Sequence, residues 1–152
     1  MNALEEISNM KIQDNLRYLP HRYPMLLIDT VETIQADHAR GTKQLTENEW
    51  FFQGHFPGHP EMPSSLLLES MGQAGAAAIL ARPENEGKLL FLAGVDNVDI
   101  VRNPGPGETL EMEARLLRFR GDSGRTMVTC ISDGAKVSQA EFTFVLGPQE
   151  AN

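Results

Sequence analysis

The chain has 152 residues, enough for one domain with a sizeable core, and its 41% hydrophobic and 22% charged residues are ordinary for a globular protein. A formal charge of −8 leaves no basic face to displace the counterions of nucleic acid, which excludes that class of partner. The single cysteine, Cys130, cannot form an internal disulfide, the acidic start "MNALEEISNM" lacks an apolar signal core, and the apolar run 66–81 is interrupted by Glu69, Ser70, Gln73 and two glycines, so the expectation is a cytoplasmic protein with no membrane span.

In chain order, "KIQDNLRYL" (11–19) sets Ile12, Leu16 and Leu19 at helical spacing, and Pro20 stops it. "MLLIDTVETIQ" (25–35) reads as a strand, "ADHARG" as a turn and "ARGTKQLT" (39–46) as a returning strand. A Pro/Gly-rich loop covers 54–63. Ser64 then suits a helix start, because a serine hydroxyl caps free amides, and the helix runs from there to Ala81 over about 25 Å. It is apolar nearly all round, which predicts a buried helix, and its second half, "GQAGAAAILA", is small enough for close packing against a curved sheet or a second copy of itself. After "RPENEG" the chain reads as β: "KLLFLAGVDNVDIV" as one long or bent strand, then "TLEMEARLLRFR", "RTMVTCIS" and "KVSQAEFTFVL" as alternating strands separated by "RNPGPGE", "GDSG" and "DG" turns. Cys130 falls in one of these alternations and reads as a small buried hydrophobe. The order predicts one α+β domain over residues 1–152, with an antiparallel sheet wrapped around one long helix. Such a sheet leaves edges and faces uncovered, which predicts a dimer.

Two residues stand out chemically. Ser65, Glu69 and Gln73 recur every four positions and form one polar line on an apolar helix. The line is either the wet edge of the helix or the floor of a cleft; in a cleft, partial desolvation would raise the Glu69 pKa and make it a proton donor at neutral pH. His55 sits in a loop stiffened by Pro57, Pro60 and Pro63, with Gly54 and Gly58 permitting tight turns. Either the histidine is incidental to a packed turn, or the stiff loop presents it as a general base. Although His55 and His59 are four apart, prolines between and beside them forbid the helix that would bring them onto one metal, and no other metal, phosphate-loop or nucleophile-elbow pattern occurs. The amides at the helix start, near Ser64 and Ser65, offer a hole for a carbonyl oxygen that becomes negative. A base, an acid and such a hole suit proton abstraction beside a carbonyl with loss of a β-hydroxyl.

Three segments, "LPHRYPMLLIDTV" (19–31), "NEWFFQGHFPGHPEMPSSLLLESMGQAG" (48–75) and "FLAGVDNVDIVRNPGPGETL" (91–110), resemble the FabZ-type (3R)-hydroxyacyl-[acyl-carrier-protein] dehydratases of type II fatty-acid synthesis. The resemblance spans about Ile12 to Val145, and its most specific part is H-F-P-G-x-P-x-M-P-x-x-L-x-x-E. It implies a hot-dog fold, dimers that often assemble as a trimer of dimers, and a trans-2-enoyl thioester product. It implies that His55 and Glu69 are the catalytic pair, contributed to each site by different subunits, and that Gly58 and the amides near Ser64 and Ser65 lie against the thioester, with Gln73 in support. No metal or redox cofactor is implied; phosphopantetheine arrives with the acyl carrier protein substrate. Leu66, Met71 and Phe91 are candidates for the wall of an acyl tunnel.

Two departures mark a specialised member, from fatty-acid or related lipid and polyketide synthesis. The family usually has glycine where this chain has Ser64, and its basic residues near 96–106 are reduced here to Arg102, leaving Arg118, Arg120 and Arg125 as substitutes for docking the acidic carrier. A hot-dog thioesterase and a non-catalytic acyl-carrier binding module are the alternative readings.

Overall fold

The computed structural model describes residues 18–148. Most of the helix expected over 11–19 lies outside the described residues. Six strands form one antiparallel sheet: β1 (Thr30–Gln35), β2 (His38–Gln44), β3 (Lys88–Ile100), β4 (Thr109–Arg120), β5 (Ser123–Ser132) and β6 (Ala135–Pro148), in the spatial order β1-β2-β4-β5-β6-β3. The helix α1 (Ser64–Leu80) packs on this sheet, and short 3-10 turns at Trp50–Gln53 and Pro83–Asn85 flank it.

Alternation explains the strands. On β4, Leu110, Met112 and Ala114 point into the core while Thr109 and Glu111 are exposed; Val128 and Cys130 on β5 and Ala140, Phe142 and Phe144 on β6 do the same. Burial pushes the Cys130 thiol up to about 12, so it behaves as packing volume. Against these strands α1 buries Leu67, Met71, Ala74, Ala77 and Ile79. Close approach depends on its small residues: a Cβ on Gly75 would stand 2.7 Å from Thr126 Oγ1. The arrangement is the hot-dog layout of a sheet wrapped around one long helix.

Residues 25–29, expected as the opening half of the first strand, are irregular, and β1 begins only at Thr30. The backbone of Leu27 is satisfied by side chains of α1 instead of a neighbouring strand: Leu27 N–H donates to Gln73 Oε1 at 2.9 Å, and Ser70 Oγ donates to Leu27 O at 2.7 Å, whereas Asp29 N–H already donates to Thr42 O of β2 at 2.7 Å. The long strand β3 is bent, with register shifts between Leu92 and Gly94 and between Asp96 and Asp99. It lies at the edge of the sheet and exposes Phe91, Leu92 and Val98.

Candidate functional site

The loop that carries His55 follows the Trp50–Gln53 turn and is fixed at several points. His55 N–H donates to Phe51 O at 3.2 Å, Glu61 N–H donates to His55 O at 2.9 Å, and Met62 N–H donates to Pro104 O at 2.7 Å. Phe56, Pro57, Gly58 and His59 form a tight turn closed by His59 N–H to Phe56 O at 2.9 Å, with Gly58 at φ +75°, the conformation a turn of this kind demands after a proline. The imidazole itself is oriented: His55 Nδ1 lies 2.9 Å from the Glu61 carbonyl oxygen. A carbonyl only accepts, so Nδ1 carries a proton, and in the neutral imidazole the lone pair is then on Nε2. His55 is partly buried and stacks on Phe56 at 4.0 Å between ring centroids.

Glu69 stands on α1 in a cleft of about 380 Å³. Ser65, Glu69 and Gln73 all line it, so the polar line faces a cavity, and Leu68, Ala76, Leu90, Leu92, Val95, Phe142 and Phe144 make it largely apolar. Two groups converge on one carboxylate oxygen: Gln73 Nε2 donates to Oε1 at 2.9 Å, and His21 Nε2 lies 3.4 Å from the same atom. Oε2 has no partner among the described residues. The carboxyl was expected to be raised above its ordinary pKa, but it is lowered. The hydrogen bond from His21 is the largest cause, and with that from Gln73 and the charge interaction with His21 it outweighs the opposing effect of partial burial.

The tunnel-wall candidates fare differently from expectation. Met71 is fully buried on the core side of α1, and neither Leu66 nor Phe91 lines the cleft. Alternation along β3 is the reason for Phe91: Leu90 and Leu92 share the face that meets the cleft, and the residue between them points the other way.

The helix start also differs. Pro63 occupies the cap position and Ser64 is the first helical residue, so no side chain caps α1. The Ser64 hydroxyl donates instead to Asn103 Oδ1 at 2.8 Å. The first amides of α1 with protein acceptors are those of Leu66 and Leu67, both bonded to Pro63 O, which leaves the amides of Ser64 and Ser65 without one among the described residues. Gly58 is exposed and its amide is likewise unengaged among these residues.

Within the chain, His55 is not among the residues lining the Glu69 cleft. Two residues near the pair were not singled out from sequence. His21 is far from Glu69 along the chain, with no helical spacing to connect them, and only its place in "LPHRYP" signals it. Asn103 sits in a turn whose glycines and prolines read as punctuation. Of the arginines considered for docking, Arg102 is committed to the fold: it makes a two-point ion pair with Glu108, at 2.6 and 3.0 Å, which with the Gly105 amide and Ser132 holds the Glu108 carboxyl at about 2. Arg125 pairs with Asp96 and Glu141, whereas Arg118 and Arg120 make no ion pair among the described residues.

The FabA-like domain model matches residues 19–141. The FabZ 3-hydroxyacyl-[acyl-carrier-protein] dehydratase of Bacillus subtilis is 44% identical over 130 residues, covering 85% of this chain and 92% of its own. That of Bacillus cereus is 42% identical over 142 residues, covering 93% and 99%. Among solved structures, the dehydratase heterocomplex ApeI:P from Xenorhabdus doucetiae superimposes with a TM-score of 0.76 at 18% identity, covering 93% of each chain, which supports the fold. With matches of this extent, and with the H-F-P-G-x-P segment and the helical glutamate placed as described, the chain belongs to the FabA-like family, among its FabZ-type 3-hydroxyacyl-[acyl-carrier-protein] dehydratases.

Proposed function

We propose that the protein dehydrates 3-hydroxyacyl thioesters borne by acyl carrier protein to trans-2-enoyl thioesters, the activity named for its curated relatives. The observation that carries the mechanism is the oriented imidazole: with Nδ1–H held on the Glu61 carbonyl, Nε2 is a free base. His55 Nε2 removes the α-proton, and the electron pair left behind spreads onto the thioester oxygen. The unengaged amides of Gly58, Ser64 and Ser65 are donors for that oxygen. The pair then forms the α–β double bond as the β-hydroxyl departs, taking a proton from Glu69 to leave as water. Transfer of the proton from His55 back to Glu69 resets the site. Gln73 and His21 engage Oε1, which supports Oε2 as the atom that serves the substrate hydroxyl. Glu69 is ionised in the free chain; an acyl chain filling the apolar cleft expels water and so favours the protonated form the step requires.

The active enzyme is a homodimer in this reading, with His55 of one protomer serving the Glu69 cleft of the other. The exposed Phe91, Leu92 and Val98 on the sheet-edge strand β3 support a second copy as the occupant of that edge. The protein acts in the cytoplasm, uses no metal or redox cofactor, and receives phosphopantetheine as part of its substrate. Incubation with 3-hydroxyacyl carriers of several lengths, followed by mass spectrometry, yields a bound chain lighter by one water. Release of the carrier's free thiol instead identifies a thioesterase, and binding without either change identifies a carrier-binding module.

Carrier docking falls to Arg118 and Arg120, which line an open surface cleft with Ser123 and Thr143. Reversing either charge raises KM for carrier-bound substrate and leaves a pantetheine thioester almost unaffected, and added salt mimics the change. Equal effects on both substrates place these arginines in folding or assembly.

A further inference from the structure

We infer that Asn103 is a positioning residue for the base: it joins the Ser64 hydroxyl to the Glu61 side chain and thereby holds the carbonyl on which the His55 ring is set. The inference rests on the reading of His55 as base. Three contacts make a continuous strut. Ser64 Oγ lies 2.8 Å from Asn103 Oδ1, Asn103 Nδ2 lies 3.3 Å from Glu61 Oε1, and the Glu61 carbonyl oxygen lies 2.9 Å from His55 Nδ1.

The chemistry of the groups fixes the direction of every link. A carboxylate oxygen accepts, so Asn103 presents its NH₂ to Glu61. Its carbonyl oxygen is then the atom that faces Ser64, and the hydroxyl must donate. Glu61 is thus held at two places: by its backbone amide on His55 O, and by its side chain on Asn103. A second tie joins the same segments beside the strut, from Met62 N–H to Pro104 O at 2.7 Å, so the turn that follows β3 is fastened to the base loop by backbone as well as by side chain.

Ser64 therefore has a use at the helix start. At the first helical position its hydroxyl does not cap α1, and its donation to Asn103 leaves the Ser64 amide free for the thioester. Glycine at this position would preserve the amide but sever the strut from the helix.

The experiment compares Asn103→Ala, Ser64→Ala and their double variant with the wild-type dimer, by steady-state kinetics and by ¹⁵N NMR of the His55 ring. Ser64→Ala removes one hydroxyl and nothing of the fold's core, so it remains informative if Asn103→Ala folds poorly. The expected result is a loss of kcat of roughly ten- to a hundredfold with KM nearly constant, as a displaced base produces. It is accompanied by a fall in the Nδ1–H tautomer of His55, a signature that a merely structural role would not move. The double variant falls no further than Asn103→Ala alone, because both residues act through one chain of bonds. Ser64→Thr, which keeps the hydroxyl, restores both readouts. Wild-type kcat and an unchanged tautomer in Ser64→Ala or Asn103→Ala overturn the inference. A His55→Ala control separates the two levels: if that variant keeps its turnover, the base assignment fails, whereas an inactive His55→Ala beside an unaffected Asn103→Ala removes the strut alone.

Discussion

Replacement of His55 by alanine is expected to lower turnover by about 10²–10⁴, and so is Glu69→Gln, while both proteins remain folded. Retention of the fold is expected because neither side chain is part of the core: His55 is partly buried in a loop fastened by backbone bonds, and Glu69 lies on the cleft side of α1. The two losses differ in kind. Without His55 no group is positioned to take the α-proton. With glutamine at 69 the shape of the side chain persists, but the amide is a far weaker proton donor to the departing hydroxyl. Both losses fall mainly on kcat, because each group acts on charge that develops only in the transition state. Near-normal turnover in either variant, measured by enoyl absorbance under saturating substrate, removes that residue from the mechanism.

Gln73→Leu is expected to destabilise the protein by about 2–5 kcal/mol and to impair catalysis as well. The Gln73 amide is 2% exposed and meets three groups: its Oε1 accepts from Leu27 N–H at 2.9 Å, and its Nε2 donates to Met25 O at 2.7 Å and to Glu69 Oε1 at 2.9 Å. Leucine has similar bulk, so packing is largely kept, but it leaves a buried amide and a carbonyl without partners. The same change withdraws a donor from the Glu69 carboxylate, which raises its pKa and lets the side chain turn. Urea denaturation and steady-state kinetics measure the two effects. A stability change below about 0.5 kcal/mol means that the 25–29 segment finds other partners for its backbone.

The sheet was legible because its strands alternate and are punctuated: "TLEMEARLLRFR" coincides with β4 residue for residue, bounded by Pro/Gly turns before and Gly121 after. The helix start at Ser64 was legible for a similar reason, since three prolines forbid any earlier helix. Residues 25–29 were not, because a continuous apolar run looks the same whether its backbone bonds to a strand or to side chains such as Gln73 and Ser70. His55 and Glu69 could be singled out by residue type and setting. What surrounds them could not: His21 and Asn103 reach the pair only through the fold, and neither has a sequence spacing that reveals it. The direction of the Glu69 shift was misjudged for that reason. Periodicity put the carboxyl on a polar line that could be a wet edge or a cleft floor, and was silent about the two donors that stabilise its charge. Arg102 shows the same limit, since its pairing with Glu108 could not be read from a turn.

The central claim is that each active site joins His55 of one protomer to Glu69 of another, and co-expression of the two inactive variants tests it most directly. In a dimer that pairs a His55→Ala chain with a Glu69→Gln chain, one site carries both substitutions and the other carries neither. Random pairing makes half of the dimers mixed, so the account predicts recovery to about a quarter of wild-type activity from two proteins that are each inactive alone. Mixed dimers isolated through two different affinity tags and found to be as inactive as either parent would contradict it.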